Sequence, residues 1–309
     1  MGNAFRKKKD NDTESFLEIS LPPTTDASAT TVNKSVAEKV SENDPQITAL
    51  LAQWDAEQNL LKKANILTQD DDFESTLHFI AGIDISFPPD KNDLVHACAC
   101  LVVLSYPQLD IVYQKLKIVH LTSVYIPQYL AFREAEPFQK LFAELAEEHP
   151  ELYPQLILLD GNGILHPKKF GIACHLGVKL SIPTIGVAKK LFHVDGLEKN
   201  DAFKKQVKSL SAKGVTLDLV GESGFVYGRA LRSTDSSTNP IFVSVGHKVG
   251  LDTAIQIVGQ CCKVRVPEPI RWADILSREY IRDYYTEHAD SCSSYEDLNA
   301  RFLRLSTFY

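Results

Sequence analysis

Apolar residues in the first half of the chain fall into three short runs that predict neighbouring β-strands. The runs span 77–87, 94–104 and 111–121. In the first run, apolar residues recur at the two-residue period of a strand: Leu77, Phe79, Ala81, Ile83 and Ile85. Prolines at 88–89 and 107 separate the runs, and such turn signals predict an antiparallel meander.

Helix and strand patterns alternate through the rest of the chain, after a helix predicted at about 44–65. The pattern predicts further helices at about 137–148, 169–180, 250–263 and 269–284, and strands at 156–160, 184–188, 225–231 and 241–245. Three antiparallel strands followed by alternating strand and helix predict an α/β fold whose mixed sheet is flanked by helices.

Composition divides the chain into three parts. Residues 1–45 are polar and lack sustained apolar periodicity, so we expect a disordered tail. Residues 46–285 carry the predicted elements, and 44% hydrophobic content over 309 residues is enough for one substantial core. Residues 286–309 form an extension that no pattern places. Because no apolar stretch approaches the ~20 residues of a membrane span, we expect a soluble chain with no transmembrane segment.

The formal net charge of -7 excludes a protein that coats nucleic acid by bulk electrostatic attraction. Contact with nucleic acid would have to use local basic patches. The candidates are Lys168-Lys169, Lys189-Lys190, Lys248, and Arg229 with Arg232. The two arginines are more typical of an ordinary solvated face. The six cysteines lack the spacing of zinc sites, which favours reduced thiols in an intracellular protein.

Three carboxylates in separate segments are candidates for a metal site. Asp84 lies in an apolar strand, Asp160 ends the apolar run 156–159, and Glu134 follows the segment YLAFR. A buried carboxylate needs a cation, dense hydrogen bonding or a metal ion. Oxygen ligands alone favour Mg²⁺ or Mn²⁺. The alternative for each aspartate is a strand-end residue that caps the next turn.

The blocks GIDISF, YIPQYLAFRE, LDGNGILHP, IPTIGVAKK and GHKVGLDTA, in this order, resemble the endonuclease V family over about 47–284. The resemblance implies a ribonuclease H-like mixed sheet and makes residues 46–285 the catalytic domain. It places Asp84, Glu134 and Asp160 on the metal-binding carboxylates, and Lys189 and His247 on supporting catalytic positions. From the sequence alone, the alternative for Lys189 is a surface lysine, and an isolated histidine such as His247 more often makes a structural hydrogen bond.

The resemblance also implies two groups of substrate-binding residues. Tyr125, Ile126 and Pro127 would form a strand-separating wedge, although a corner between a strand and a loop explains them equally well. Leu130 and a set of mostly small residues would line a pocket for a flipped base: Gly161, Gly163, His166, Gly171, Ile172 and Gly186. The alternative for the glycines is a tight turn with close helix packing.

The implied activity is metal-dependent cleavage of nucleic acid at the second phosphodiester bond 3′ to inosine, leaving 5′-phosphate and 3′-hydroxyl ends. We expect Mg²⁺ as the metal with Mn²⁺ as a substitute, inosine-containing single-stranded RNA or DNA as partner with RNA favoured, a monomer, and a cytoplasmic, nuclear or nucleolar location. Two alternatives stay open: another ribonuclease H-like nuclease of the junction-resolvase type, and a non-catalytic module that binds inosine-containing RNA.

Overall fold

One mixed sheet of eight strands organises the computed structural model, which describes residues 45–66, 76–90, 93, 95–121, 123 and 126–289. The strands are β1 (Phe79–Ser86), β2 (His96–Ser105), β3 (Ile111–His120), β4 (Leu156–Asp160), β5 (Thr184–Ala188), β6 (Thr216–Val220), β7 (Val226–Leu231) and β8 (Ile241–His247). Their order in the sheet is β3-β2-β1-β4-β5-β8-β7-β6.

The pairing confirms the predicted mixed sheet of a ribonuclease H-like plan. Strands β1, β2 and β3 pair antiparallel, and β4 and β5 then add parallel to β1. Beyond β5 the sheet returns to antiparallel pairing, through β8, β7 and β6. The short strand β6 was not predicted, because its partly exposed residues show no sustained apolar run.

Helices cover both faces of the sheet. They are α1 (Pro45–Lys63), α2 (Ala131–Glu148), α3 (Ile172–Leu180), α4 (Asp201–Lys208), α5 (Leu251–Gln260) and α6 (Glu268–Ala289), with a short 3-10 turn at Pro150–Leu152. Helices α2 and α3 share one apolar core with the sheet, and α5 and α6 share another. Strand β1 contributes Ile83 to the first core and Ile80 to the second, so it is covered on both faces.

Two helices do not begin where they were predicted to begin, and both differences bear on function. Helix α2 begins at Ala131 rather than 137, with Pro137 inside it. A proline often begins a helix, but here the chain is already helical where Glu134 occurs, so Glu134 lies in the first turn. Helix α3 begins at Ile172 rather than 169, because Lys169 takes a left-handed φ of 52° and leaves the preceding segment as a loop.

The ends of the chain lie mostly outside the described residues. The predicted tail is described only at Pro45, where α1 begins, and the predicted extension only at 286–289, which continue α6. Cysteines 98, 100, 174, 261 and 262 are free and buried, as predicted for core thiols. Among the described residues, no helix combines the length and apolarity needed to cross a membrane.

The contact between β1 and the start of α6 predicts a large effect of one methyl group. A Cβ at Gly82 would lie 2.8 Å from Cα of Pro269 and nearer still to its carbonyl group. Gly82→Ala should therefore lower the free energy of unfolding by about 2–4 kcal/mol, because backbone cannot yield as a side chain does. Thermal and urea unfolding measure the change.

Gly259→Ala in α5 is the matched control. Apart from the chain neighbours and the adjoining backbone of α5 itself, no atom lies within 4 Å of a Cβ at that position, and alanine has the higher helix propensity. The control should leave stability unchanged or raise it by up to about 1 kcal/mol. Equal stability of the two variants would contradict the packing argument.

Candidate active site

The carboxyl ends of β1 and β4 place two aspartates side by side. In this parallel pair, Ile83 is in register with Leu159, and Asp84 and Asp160 are the next residues of their strands. Neighbouring strands are about 4.8 Å apart, so both side chains reach the same edge of the sheet. The sequence pattern of two apolar runs that each lead to an aspartate predicted this edge.

Glu134 approaches the same edge from the first turn of α2. Burial raises the pKa of its carboxyl group to about 8, and the negative charges of Asp84 and Asp160 add to the effect, while Arg133 opposes it. The three predicted carboxylates are therefore close enough for their charges to affect one another. At neutral pH and without a cation, Glu134 therefore retains its proton in most molecules.

Two hydroxyl groups hold the side chain of Asp84, one from its own strand β1 and one from α6. Ser277 Oγ donates to Asp84 Oδ2 at 3.0 Å, and Ser86 Oγ donates to the same oxygen at 3.3 Å. Burial nevertheless raises the pKa of Asp84 to about 6, with further increases from the charges of Asp274 and Asp160. The hydrogen bond from Ser277 only partly offsets these effects.

Asp274 is the acidic group that the sequence analysis missed. It lies on α6, one turn before Ser277, and its charge acts on both Asp84 and Lys189. Arg278 Nη2 pairs with Asp274 Oδ1 at 2.5 Å on the outer side of the helix. An available signal was the spacing of Asp274 and Ser277, because residues three apart lie on one helix face.

Lys189 brings a positive charge to the edge of the sheet where Asp84, Glu134 and Asp160 lie, which we call the acidic edge. It follows β5 directly, and its Nζ lies 2.7 Å from Asp160 Oδ2. Burial lowers the pKa of the ammonium group, but the ion pair with Asp160 and the charges of Asp274 and Asp84 outweigh burial and raise it. Lys189 is therefore the protonated partner of the cluster, whereas Lys190 beside it is exposed.

The donor chemistry of this edge fits a hard divalent cation. The groups are carboxylates, two of which have raised pKa values because anions lie close together in a poorly hydrated place. Among the described residues, no three carboxylate, imidazole or thiol groups converge as a preassembled ligand set. Binding of one ion would therefore require Asp84, Glu134, Asp160 and Asp274 to move closer together.

His247 lies at the opposite edge of the sheet, which corrects its predicted place among the catalytic residues. It pairs with Thr184 at the start of β5, while Asp160 pairs with Val187 near the end of that strand. Three residues of strand separate the two positions by about 10 Å. Its Nδ1 lies 2.8 Å from Asn65 Oδ1, and burial lowers its pKa to about 4. These contacts support the alternative interpretation, in which His247 is a structural histidine.

The predicted pocket glycines are packed tightly against backbone. A Cβ on Gly186 would lie 2.8 Å from the carbonyl carbon of Asn162, and the N–H of Gly163 donates to Ser244 Oγ at 2.9 Å. The carbonyl group of Gly163 accepts the N–H of Gly171 at 2.9 Å. Close packing of the 161–163 loop on β5 and β8 therefore requires these glycines. Gly161 differs, because a Cβ there would meet only the side chain of Ile172.

His166 joins the two segments that carry the predicted substrate groups. Burial lowers the pKa of its ring to about 4, and a hydrogen bond with the backbone of Gln128 partly opposes this. Its Nδ1 accepts the N–H of Lys168 at 3.2 Å. The neutral ring thus links the 160–171 loop to the 126–130 segment.

The 126–130 segment contains most of the remaining predicted substrate residues. Pro127 is exposed, Ile126 and Leu130 are half-buried, and Gln128 has a left-handed φ of 75°. Tyr125, the aromatic residue of the predicted wedge, lies outside the described residues. Arg229, predicted on a solvated face, forms ion pairs there with Asp218 and Asp252.

With this geometry in place, comparison with known proteins decides the family. The family model described as Endonuclease V matches residues 61–275, which is more than half of the chain. The chain belongs to the endonuclease V family. The Mus musculus endonuclease V is 48% identical over 253 residues, covering 80% of this chain and 73% of the mouse protein. The Homo sapiens endonuclease V is 47% identical over 238 residues, covering 75% and 83%.

Solved endonuclease V structures share the fold. A crystal structure of human ENDOV superposes with a TM-score of 0.73 at 45% identity, covering 76% of this chain and 99% of that one. Ciona intestinalis endonuclease V, crystallised with a 24mer DNA containing an inosine followed by a ribo-adenosine, superposes with a TM-score of 0.71 at 39% identity, covering 75% and 98%. The chain is thus a nuclease of the endonuclease V type.

The raised pKa of Glu134 predicts how the metal-free protein responds to pH. The folded state holds this proton up to a pKa of about 8, while the unfolded state releases it near 4.5. Stability in EDTA should therefore fall as pH rises through this window, and Glu134→Gln should remove that loss. We expect the variant to gain on the order of 1–3 kcal/mol over wild type at pH 8.5, with little gain at pH 5.

Thermal unfolding across pH measures this difference. Glu136→Gln on the same helix is the control, because Glu136 is exposed and pairs with Lys140 one turn away. A pH-independent difference between Glu134→Gln and wild type would show that the pKa of Glu134 is not raised in the folded protein.

Proposed function

We propose that this protein is a metal-dependent endonuclease that cleaves RNA, and DNA less readily, at the second phosphodiester bond 3′ to inosine. The products would carry 5′-phosphate and 3′-hydroxyl ends, and Mg²⁺ would be the metal, with Mn²⁺ able to replace it. The observation that carries the proposal is the acidic edge formed by Asp84, Glu134 and Asp160 with Lys189. The inosine-containing DNA in the Ciona intestinalis complex supports the choice of base.

The acidic edge provides the groups to hold a divalent cation. Asp84, Glu134 and Asp160 would bind it, and Asp274 would be a fourth carboxylate close to it. When bound, the ion supplies Lewis acidity, activating water and stabilising the leaving oxygen of an in-line displacement. The hydroxyl groups of Ser277 and Ser86 fix the rotamer of Asp84 by donating to Oδ2, so Oδ1 keeps its lone pairs for a ligand.

Lys189 would act on the scissile phosphate. Its ammonium group stays protonated beside Asp160, and a phosphate oxygen entering the site would compete for the same charge. A lysine binds phosphate as a compact point charge and needs no fixed geometry. Charge that builds on the phosphate oxygens in the transition state would therefore be offset by Lys189.

The 126–130 segment and the 160–171 loop would receive the flipped base. Tyr125, Ile126 and Pro127 would fill the gap it leaves in the stack, and Leu130, His166 and Ile172 would contact its ring with Gly161. Gly163, Gly171 and Gly186 would act indirectly, since their backbone shapes the loop. Hypoxanthine presents an acceptor at O6 and a donor at N1, the reverse of adenine.

Two other functions make different predictions for the same protein. A junction resolvase of this fold would depend on branched structure and ignore inosine. A non-catalytic inosine-binding module would bind the strand without cutting it. The retained cluster of Asp84, Glu134, Asp160 and Lys189 favours catalysis over binding alone, because a silent module has no need of destabilising buried carboxylates.

Cleavage of matched strands tests the proposal. Strands with inosine or adenosine at one position, made as RNA and as DNA, are incubated with Mg²⁺, Mn²⁺ or EDTA. We expect cutting only of inosine strands, faster for RNA, and none in EDTA. Asp84→Asn should reduce single-turnover cleavage by about 10³-fold or more while strand binding persists, since an amide is a poorer metal ligand.

Asp252→Asn is the control, because Asp252 is 90% exposed and pairs with Arg229 outside the site. Cleavage of adenosine strands at an equal rate would contradict the inosine assignment. Wild-type turnover by Asp84→Asn would contradict the metal site.

Lys189→Ala separates catalysis from binding. If the ammonium acts on the transition state, single-turnover cleavage should fall by about 10²–10³-fold, with the Kd for the inosine strand changed less than about threefold. Lys190→Ala is the matched control, since its side chain is exposed next to the site. A pure loss of affinity at unchanged single-turnover rate would reduce Lys189 to a phosphate-binding residue.

A further inference from the structure

Helix α1 packs against both segments that the proposed function assigns to the substrate. Its Trp54 stacks on Phe132 with ring centroids 4.9 Å apart and lies 5.7 Å from the ring of Tyr129. Tyr129 and Leu130 end the 126–130 segment, and Glu134 of the acidic edge follows one turn later in α2. Helix α1 therefore packs against residues 129–132, which connect the predicted wedge to Glu134.

Asp55, the next residue of α1, joins residues 129–132 to the 160–171 loop. Its Oδ1 accepts the hydroxyl proton of Tyr129 at 2.8 Å and also pairs with the ammonium group of Lys168. Lys168 Nζ in turn lies 2.5 Å from Tyr129 Oη and 4.2 Å from the centre of the tyrosine ring. One carboxylate thus holds a side chain from each of the two substrate segments.

The same lysine orients the pocket histidine. The backbone N–H of Lys168 donates to Nδ1 of His166, and the His166 ring bonds to the backbone of Gln128. The contacts form a closed circuit: Asp55 to Lys168, Lys168 to His166, His166 to Gln128, and Tyr129 back to Asp55. A circuit of this kind fixes the separation of two loops that lack any strand pairing with each other.

Two further hydrogen bonds tie α1 to the backbone of the 160–171 loop. Lys62 Nζ donates to the carbonyl group of Lys168 at 2.7 Å, and the buried Gln58 donates through Nε2 to the carbonyl group of Phe170 at 2.9 Å. Lys169, between these two carbonyl groups, has a left-handed φ that local sequence does not favour. The helix therefore holds the loop in a conformation that the loop alone would not keep.

The ion pair at the centre of this arrangement is poorly suited to a purely stabilising role. The Asp55 side chain is 45% exposed, and that of Lys168 is 28% exposed. Exposed ion pairs contribute little to the free energy of folding, because water and salt screen them. Most of α1, including Asp55, also lies before the segment 61–275 matched by the family model.

We propose that Asp55 is a positioning residue for base recognition, setting the distance between the 126–130 segment and the pocket histidine His166. The inference rests on the proposed function, since it assigns Asp55 to the inosine pocket described there. Loss of the carboxylate would remove the anchor that ties both Tyr129 and Lys168 to α1, leaving the two side chains joined only by their direct contact. Misplacement of pocket groups by a fraction of an ångström weakens recognition of the flipped base without touching the carboxylate edge.

The test compares Asp55→Asn and Asp55→Ala in the full chain. We expect KM for inosine RNA to rise about tenfold in Asp55→Ala, with kcat within about twofold of wild type. The selectivity of strand binding, measured in EDTA as the ratio of Kd values for adenosine and inosine strands, should fall by a similar factor. The melting temperature should stay within about 2 °C of wild type, as the exposure of the pair requires.

Asp55→Asn removes only part of the interaction, because an amide oxygen still accepts the hydrogen bond of Tyr129 but no longer pairs with the charge of Lys168. We expect it to fall between wild type and Asp55→Ala. Glu57→Gln is the matched control: Glu57 lies two residues away on the same helix and pairs with Lys179 of α3 at 2.8 Å, away from both substrate segments. It should retain wild-type KM and selectivity.

Two failures are distinguishable. If wild type does not prefer inosine strands, the proposed function fails and the inference falls with it. If wild type prefers inosine and Asp55→Ala keeps the same KM and the same ratio of Kd values, the proposed function stands and the positioning role of Asp55 is wrong. A drop in melting temperature with unchanged selectivity would also overturn the inference, because it would show a structural role only.

Discussion

Burial of neighbouring carboxylates at the shared edge of β1 and β4 is the constraint on which the rest of this site depends. Asp84, Glu134, Asp160 and Asp274 reach one place that helices on both faces of the sheet keep poorly hydrated. The raised pKa values of Asp84 and Glu134 record the resulting conflict. Lys189 and the hydroxyl groups of Ser86 and Ser277 reduce it without removing it. Buried carboxylates that the protein's own groups stabilise only in part are prepared for a cation.

The fold brings these acidic groups together because two helices pack near β1 from opposite faces of the sheet. Helix α2 delivers Glu134 in its first turn, and α6 delivers Asp274 and Ser277. The approach of α6 depends on the absence of a side chain at Gly82, where the backbone of Pro269 rests on β1. One glycine in a buried strand therefore sets how close an acidic helix comes to Asp84, and so links core packing to the electrostatics of the site.

The sequence predicted the sheet and the two strand-end aspartates, because alternation and apolar runs fix which residues are buried. Parallel neighbours then bring strand ends to one edge. It did not predict Asp274, since an acidic residue in an amphipathic helix is usually solvated, and the effect of its charge on Asp84 depends on the packing of α6 against β1. His247 was misplaced for a different reason: β8 runs antiparallel to β5, so the end of β8 reaches the far edge. The apolar periodicity of a segment predicts a strand, but it does not predict whether that strand runs parallel or antiparallel to its neighbour after a long connection.

The two halves of the site are held by forces of different kinds. The acidic edge is built on paired strands and buried helices, so its geometry is tied to global stability. The segments proposed to bind substrate are loops held by side chains of α1, and the partly exposed ion pair among these contacts contributes little to folding. Such tethers can change in sequence without unfolding the protein. Under the proposed function, chemistry at the carboxylates would therefore depend on the folded core, whereas recognition of the base would depend on side-chain contacts that contribute little to folding.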